Sequence, residues 1–576
     1  MESISIKNLR SIQDSGELKI KPLTILLGKN SSGKSTLLRF FPLMKQTINS
    51  RRNEAILWYN NESVDFGNFD KAINKNANPK VLEMSFEFLI PKNHLNFSRF
   101  HQIKPNKETI KTNVDVKIKQ NQFENIKISI EDINFIMQIG KNKKMKINTN
   151  KSNYVNEFRV DMVFEKEEFF PEFYINNNGI LKDSNFLEKI FNEFFKEDFK
   201  DNNIIVEELF KKDFKDNSII IDENGYRKKI NNTGKEDFVK FFPELLSFIR
   251  LSDYKELFID DVKFWAKLTS KLNDMKVSIV FRLDLINFIT KISKLSNENK
   301  DQLYSLMLLS NLPNILRVLN SEISSYFLGV KYIAPLRANV QRYYRENGIS
   351  VDDIDSQGVN MPMILKDLSP SKRENFENWT YENFGFSIGI EPIQDHISLV
   401  ISFSKDKKNE KLNLADVGFG FSQILPIIYT LWSNTENTNS SISRNMYTNT
   451  KIQSHILIEQ PELHLHPAMQ AKLVDAFLKC INLLHKRNKD FSIIIETHSE
   501  IIVNRIGKMI YEGSFNKDLC NVLIFGGDIN NSSIKAIEYD KEGILKEWPL
   551  GFFQPDSPEL TPEFEFNWEE EEKKQC

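Results

Sequence analysis

LTILLGKNSSGKST, Leu23 to Thr36, joins an apolar run to a glycine-rich turn and then to a helix. LTILL stops at Gly28, and the residues after Lys34 carry Leu37, Leu38, Phe41 and Met44 at helical spacing. Between them, GKNSSGKST satisfies G-x-x-x-x-G-K-[ST] in the strand-then-helix setting the motif requires. Glycines let backbone N–H groups wrap phosphate oxygens, and the start of the helix adds a partial positive charge. Gly28, Asn30, Ser31, Ser32, Gly33, Lys34, Ser35 and Thr36 therefore form a candidate phosphate cradle. Lys34 is placed to reach β- and γ-phosphates, and the Ser35 hydroxyl to bind Mg²⁺.

Three further segments carry chemistry. In HILIEQPELHLHP, His455 to Pro467, an apolar strand delivers Glu459 at its C-terminal edge, where open α/β sheets place their ligands. Glu459 is the candidate to hold Mg²⁺, directly or through water. His464 and His466 lack a nearby third ligand and are weak metal evidence. In FSIIIETHSE another apolar run ends at Glu496, Thr497, His498 and Ser499, and His498 is placed to hydrogen-bond a γ-phosphate. In DVGFGFSQ, Asp416 to Gln423, small residues precede the helix ILPIIYTLW. Gly418, Gly420, Ser422 and Gln423 form a second candidate phosphate cradle there.

The rest of the chain sets these motifs in order. Residues 1–95 read as strands with one helix. Residues 96–325 are rich in Lys, Asn and Phe, with few glycines, and are expected to form a mainly helical insertion; EKIFNEFF and ELLSFIRL carry that reading. FKEDFKDNNII (Phe195 to Ile205) nearly recurs as FKKDFKDNSII (Phe210 to Ile220), too few copies for a repeat architecture. Over 326–555 the apolar strands return in strand–helix–strand order, which predicts a parallel sheet. Residues 556–576 form an acidic tail ending in EEEEKKQC. The predicted fold class is α/β, a mixed sheet with flanking helices.

Composition narrows the function. A formal net charge of −2 advertises no global surface for nucleic acid or membrane. No apolar run reaches the length of a membrane span. The three cysteines are far apart, which disfavours a disulfide framework and suggests the cytoplasm.

Together the motifs resemble the ABC ATPase family, in its SMC-like and overcoming-lysogenization-like branch of AAA-type ATPases. GKNSSGKST resembles the Walker A loop and VGFGFSQ the signature loop. HILIE resembles Walker B, PELHLHP the D-loop, and His498 the switch histidine. A signature loop upstream of Walker B is an ABC trait, and the long gap between Walker A and the signature favours the SMC-like branch over transporter ATPases. The resemblance implies ATP and Mg²⁺ as ligands and an ATP sandwich between two heads. With one copy of each motif, the chain is expected to pair with itself, as a dimer or a higher even oligomer. One position departs from the family: the catalytic glutamate after the Walker B acid is Gln460. An amide orients water but takes no proton at neutral pH. Glu462, two residues on, is the rival base. VDFGNFD, Val64 to Asp70, is the Q-loop candidate.

LKEWPLGFF, Leu545 to Phe553, resembles the end of bacterial antiphage-defence ATPases of the Septu or retron-associated type. This implies a regulatory ATPase that scaffolds or restrains a separate effector such as a nuclease. With about 78 residues after His498, no Toprim nuclease is expected within the chain. The alternative is a DNA-repair or chromosome-maintenance ATPase that clamps DNA or RNA directly. KNKKMK (Lys141 to Lys146) and Arg337, Arg342 and Arg345 are its basic candidates.

Overall fold

The structure, a computed structural model, describes residues 1–60, 63–91, 109–131, 133–140, 143–150, 155–175, 179–180, 219–221, 227–229, 309, 312–345, 353–404, 411–436, 453–527 and 531–546. The elements that position the site are β1 (Leu23–Gly28), α1 (Lys34–Ile48), α2 (Leu312–Leu328), β2 (Val330–Ile333), α3 (Phe419–Glu436), β3 (Ser454–Glu459), α4 (Pro467–Lys486), β4 (Phe491–Glu496), α5 (Glu500–Tyr511), β5 (Cys520–Gly527) and β6 (Ser532–Ile537).

Five strands run parallel in the order β2-β3-β4-β1-β5, and β6 follows antiparallel to β5. Both faces of this sheet are covered, which is why its strands read as continuous apolar runs. Successive side chains alternate between two cores. Leu23, Ile25, Leu27, Ile456, Ile458, Ile493 and Ile495 face the cluster built with α3, α4 and α5. Leu26, Leu457, Ile494 and Leu523 face the cluster built with α1 and α2. On that second side the Phe40 and Phe327 rings meet edge-on, centroids 6.2 Å apart.

A single parallel contact, Ile12 with Ser532, links β6 to the short strand Ile12–Asp14, which pairs with Ser3–Leu9. From there the sheet turns antiparallel. Ser3–Leu9 pairs with Leu82–Pro91, and an antiparallel meander follows through Thr109–Lys119, Gln122–Ile130, Ile133–Ile139, Lys144–Thr149 and Asn156–Val163. The expected mixed sheet with flanking helices is therefore present.

The expectation of a mainly helical segment over 96–325 does not hold for the meander. Its strands alternate with period two: Val114, Val116, Ile118, Ile126, Ile128, Phe135, Met137, Met145 and Ile147 are buried between exposed or half-exposed polar residues. The first turn hides this in the sequence, because it contains no glycine. Gln120 and Asn121 both take positive φ, 50° and 56°, as a tight hairpin turn requires. Lys143, at φ 58°, does the same further on. Helix is confirmed at α2, the end of the segment. EKIFNEFF, ELLSFIRL and the FKEDFKDNNII/FKKDFKDNSII pair lie outside the described residues, apart from Ile219 and Ile220, which stand in a two-stranded hairpin. The 556–576 tail and residues 547–553 of LKEWPLGFF also lie outside them. Among the described residues, no helix is long and apolar enough to cross a membrane.

Ile495 sits at the centre of the sheet and is fully buried. Ile495→Ala should cost about 2–5 kcal/mol of stability, the range for truncating a core aliphatic. A chemical-denaturation midpoint equal to that of the unchanged chain would contradict the two-faced core.

Candidate functional site

The P-loop leaves β1 at Gly28, whose φ is 154°; a Cβ there would meet the Phe525 carbonyl oxygen at 2.4 Å. No side chain fits, so β5 holds the loop's first turn in place. Lys29, Asn30 and Ser31 form its exposed tip, while Ser32, Gly33, Lys34 and Thr36 are buried. The Ser32 hydroxyl donates to the Lys29 carbonyl at 2.8 Å and stiffens the turn. Gly33, left-handed with φ 103°, precedes α1 with no side-chain cap, and the first turn of α1 carries no acid. The first N–H groups of α1 therefore point into the loop without an internal acceptor, as an anion site needs. Lys34 Nζ donates to the Gly28 and Lys29 carbonyls at 2.9 and 2.6 Å, and burial lowers its pKa.

β3 and β4 run in register, with Glu459 opposite Glu496, so two acids end side by side next to the P-loop. Their surroundings differ. Glu459 is 2% exposed and receives Arg39 of α1 in a fork: Nε to Oε1 at 2.6 Å and Nη2 to Oε2 at 2.8 Å. The Tyr332 hydroxyl adds a third bond to Oε1 at 2.7 Å. Such charge-assisted bidentate pairs are among the strongest polar contacts in proteins. The bond to Glu459 raises the Arg39 pKa, and burial does the same for Tyr332, so both keep their protons. Glu496 accepts only the Ser35 hydroxyl, at 2.8 Å on Oε1. Its Oε2 is buried with no partner. Burial, reinforced by the neighbouring Glu459 charge, pushes Glu496 up to about 7.

Gln460 follows Glu459 with φ 44°, and its N–H donates to the Glu496 carbonyl at 2.8 Å. Glu462 spans to the loop after β4: Oε2 accepts from the Thr497 hydroxyl at 2.9 Å and Oε1 from the His498 N–H at 2.7 Å. Both of its oxygens are engaged, which makes it a strut between the two strand-end loops. Partial burial and the Lys34 charge lower the His498 pKa, so its imidazole is neutral at pH 7. His464 packs edge-on against Phe419, and His466 Nδ1 caps α4 by accepting from Ala468 N–H at 3.2 Å. Both histidines thus have packing or capping roles.

The signature segment lies against the D-loop segment. A Cβ on Gly420 would meet the His464 carbonyl oxygen at 2.6 Å. The Ser422 side chain turns inward, only 6% exposed, and donates to the Phe419 carbonyl at 2.6 Å. Gly418 is exposed and has open space where a side chain would stand. Gln423 Nε2 donates to the Arg337 carbonyl at 3.3 Å, and Arg337 Nη2 donates to the Glu459 carbonyl at 2.8 Å. Gly28–Thr36, Glu459–Glu462 and Glu496–His498 thus meet directly, and residues 418–423 join them through Arg337. Burial brings Arg337 down to about 10.

The sequence reading missed Arg39 and Tyr332 and placed Arg337 only among the basic candidates for nucleic acid. Arg39 stands five residues after the P-loop lysine, on the helix face that reaches β3. Glu496 ended a quoted strand but lacked a motif role. Within the Q-loop candidate, Arg10 lies over the Phe66 ring at 4.1 Å and its Nη2 donates to the Asp65 carbonyl at 3.0 Å. Several of the basic candidates for nucleic acid are engaged within the chain, whereas Arg345 is exposed and Lys141 lies outside the described residues. Arg337 is buried, Arg342 pairs with Asp416, and Lys143 and Lys144 pair with Asp161 and Glu157.

A glycine-rich turn between a buried parallel strand and a helix, with acids on neighbouring strand ends, defines a P-loop nucleotide-binding protein of the α/β class. The AAA ATPase domain family matches residues 1–503, and the chain belongs to this family. No curated protein matches the chain. Solved structures to which it is similar include the Smc head domain with an extended coiled coil bound to the C-terminal domain of ScpA from Pyrococcus furiosus (9% identity, 93% of this chain and 96% of that chain, TM-score 0.32). Another is the SmcHead bound to the C-winged helix domain of ScpA (8% identity, 94% and 98% covered, TM-score 0.33). A third is the SMC head domain from Thermotoga maritima (8% identity, 93% and 97% covered, TM-score 0.31).

Removing the Arg39 guanidinium would leave the Glu459 carboxylate buried with only the Tyr332 hydroxyl. Arg39→Ala should therefore lower stability by about 3 kcal/mol. Glu459→Gln in the same chain should recover part of the loss, since no bare charge then remains. Equal denaturation midpoints for the single and double variants would show that the pair is not coupled.

Proposed function

We propose that the chain is an ATP-binding, slowly hydrolysing SMC-like ATPase that pairs head to head and regulates or scaffolds a separate effector. One observation carries the slow-switch reading: Gln460 stands where the general base belongs, and Glu462 has both oxygens engaged by Thr497 and His498. The residues fit the ligands. The loop turn at Gly28 has no room for a side chain, the α1 N–H groups are open, and Ser35 bonds Glu496, whose register partner is Glu459.

Each residue then has a role. The loop N–H groups and Lys34 bind the phosphates, and Lys34 exchanges its two carbonyl acceptors for phosphate oxygens. Ser35 and the acidic strand ends Glu459 and Glu496 face the Mg²⁺. When bound, Mg²⁺ offsets the charge of the β- and γ-phosphate oxygens. Neutral His498 is placed to donate to the γ-phosphate. Gln460 orients water without accepting its proton. Gly418 and Gly420 present backbone at an exposed helix start, the surface on which a second copy's ATP would rest, with Ser422 and Gln423 fixing that turn from beneath.

The pairing reading extends the resemblance to SMC-like ATPases, and the antiphage setting extends that of LKEWPLGFF; a cytoplasmic location accords with both. Residues 96–325 interrupt the ATPase motifs and carry no phosphate loop, so partner contacts are assigned there.

Lys34→Ala should abolish ATP binding by calorimetry. Gly418→Arg should keep ATP binding but prevent ATP-dependent pairing in sedimentation, because its own subunit accommodates the side chain and the partner's ATP does not. Pairing that survives Gly418→Arg would argue against the sandwich.

Hydrolysis should be slow, since a positioned general base contributes about a hundred- to ten-thousandfold. Gln460→Glu should speed single-turnover hydrolysis. Wild-type turnover on the order of 10 per second, silenced by Glu462→Gln, would instead make Glu462 the base.

A further inference from the structure

Two carboxylates end side by side at the P-loop, and the motif reading assigns the metal to Glu459. The contacts favour the other one. Both oxygens of Glu459 are held by the Arg39 fork, and Oε1 also by Tyr332. To coordinate an ion directly, Glu459 has only the second lone pair of Oε2 left, and the ion would compete there with a charge-assisted bidentate pair in a buried site. Glu496 has no such partner. It is 4% exposed, accepts one bond from a neutral hydroxyl, and keeps Oε2 buried without a partner. An unpaired buried carboxylate oxygen is costly unless a cation or a proton meets it.

The geometry of the one bond it makes is informative. Ser35 Oγ and Glu496 Oε1 lie 2.8 Å apart. Mg²⁺ holds its oxygen ligands octahedrally at about 2.0–2.1 Å, so two adjacent ligand oxygens stand about 2.9 Å apart. The hydroxyl and the carboxylate are already at that spacing. An ion beside the two oxygens can bind both with little change in their spacing, the Ser35 hydroxyl turning its hydrogen away.

We propose that Glu496, together with Ser35, binds the Mg²⁺ of the bound nucleotide directly, and that Glu459 acts from behind it, its charge held by Arg39. This rests on the ATP-binding reading above. The two acids then differ in role. Glu496 meets the metal, while Glu459 anchors α1 to the sheet through Arg39 and holds Arg337 through its carbonyl.

ATP affinity measured by calorimetry with Mg²⁺ and with EDTA tests the assignment. Wild type should bind Mg²⁺·ATP more tightly than ATP in EDTA. Glu496→Gln keeps the size of the side chain and an acceptor for Ser35 while removing the charge. It should lose tenfold or more of the Mg²⁺-dependent gain, yet bind ATP in EDTA at least as tightly as wild type, because a negative charge beside the phosphates is gone. A residue that only propped up the loop would lower both affinities. Glu496→Asp should regain part of the Mg²⁺ increment, and Glu459→Gln should reduce it less than Glu496→Gln. A full wild-type increment in Glu496→Gln, or a larger loss in Glu459→Gln, would overturn the assignment. Failure of wild type to bind ATP under either condition would overturn the parent reading itself.

Discussion

The common ending of three parallel strands governs everything at this site. β1 stops at Gly28, β3 at Glu459 and β4 at Glu496, and the backbone register places the two acids opposite each other and Glu496 beside Leu26. A parallel sheet covered on both faces admits polar groups only where its strands run out. The apolar interior of the strands and the chemistry at their ends are therefore one constraint. A one-residue slip would turn Ile495 toward the wrong core and carry Glu496 away from Ser35.

Charge at this edge is distributed unevenly. Glu459 meets a guanidinium in a planar fork, whereas Glu496 meets a hydroxyl, although the two occupy equivalent register positions. The difference comes from the helices and strands around them: α1 supplies Arg39 on the β3 side and Ser35 on the β4 side, and β2 supplies Tyr332. Lys34, folded onto the loop carbonyls, supplies positive charge near Glu496 without touching it.

The legible parts of this protein were those written locally. The P-loop, its strand and its helix stand in one unbroken stretch, and HILIE and FSIIIE show their burial by composition alone. The Arg39–Glu459 fork joins residues far apart in the chain, so no local pattern announces it. The meander was misread for a different reason. Its alternation is visible in TNVDVKIK, but Gln120–Asn121 make the first turn without glycine, and EKIFNEFF and ELLSFIRL suggested helix for the whole segment. Ser422 carried a motif role yet points inward, because a loop's spacing does not reveal which of its side chains packs beneath it.

Gly420 presses on the His464 carbonyl so closely that a methyl group would not fit between them. With no side chain to act as a cushion, the start of α3 and the loop after β3 behave as meshed teeth. A displacement of either by more than a few tenths of an ångström must be taken up by the other. A push on the exposed helix start would thus reach the loop after β3 as movement of the backbone, without any charge or proton having to travel.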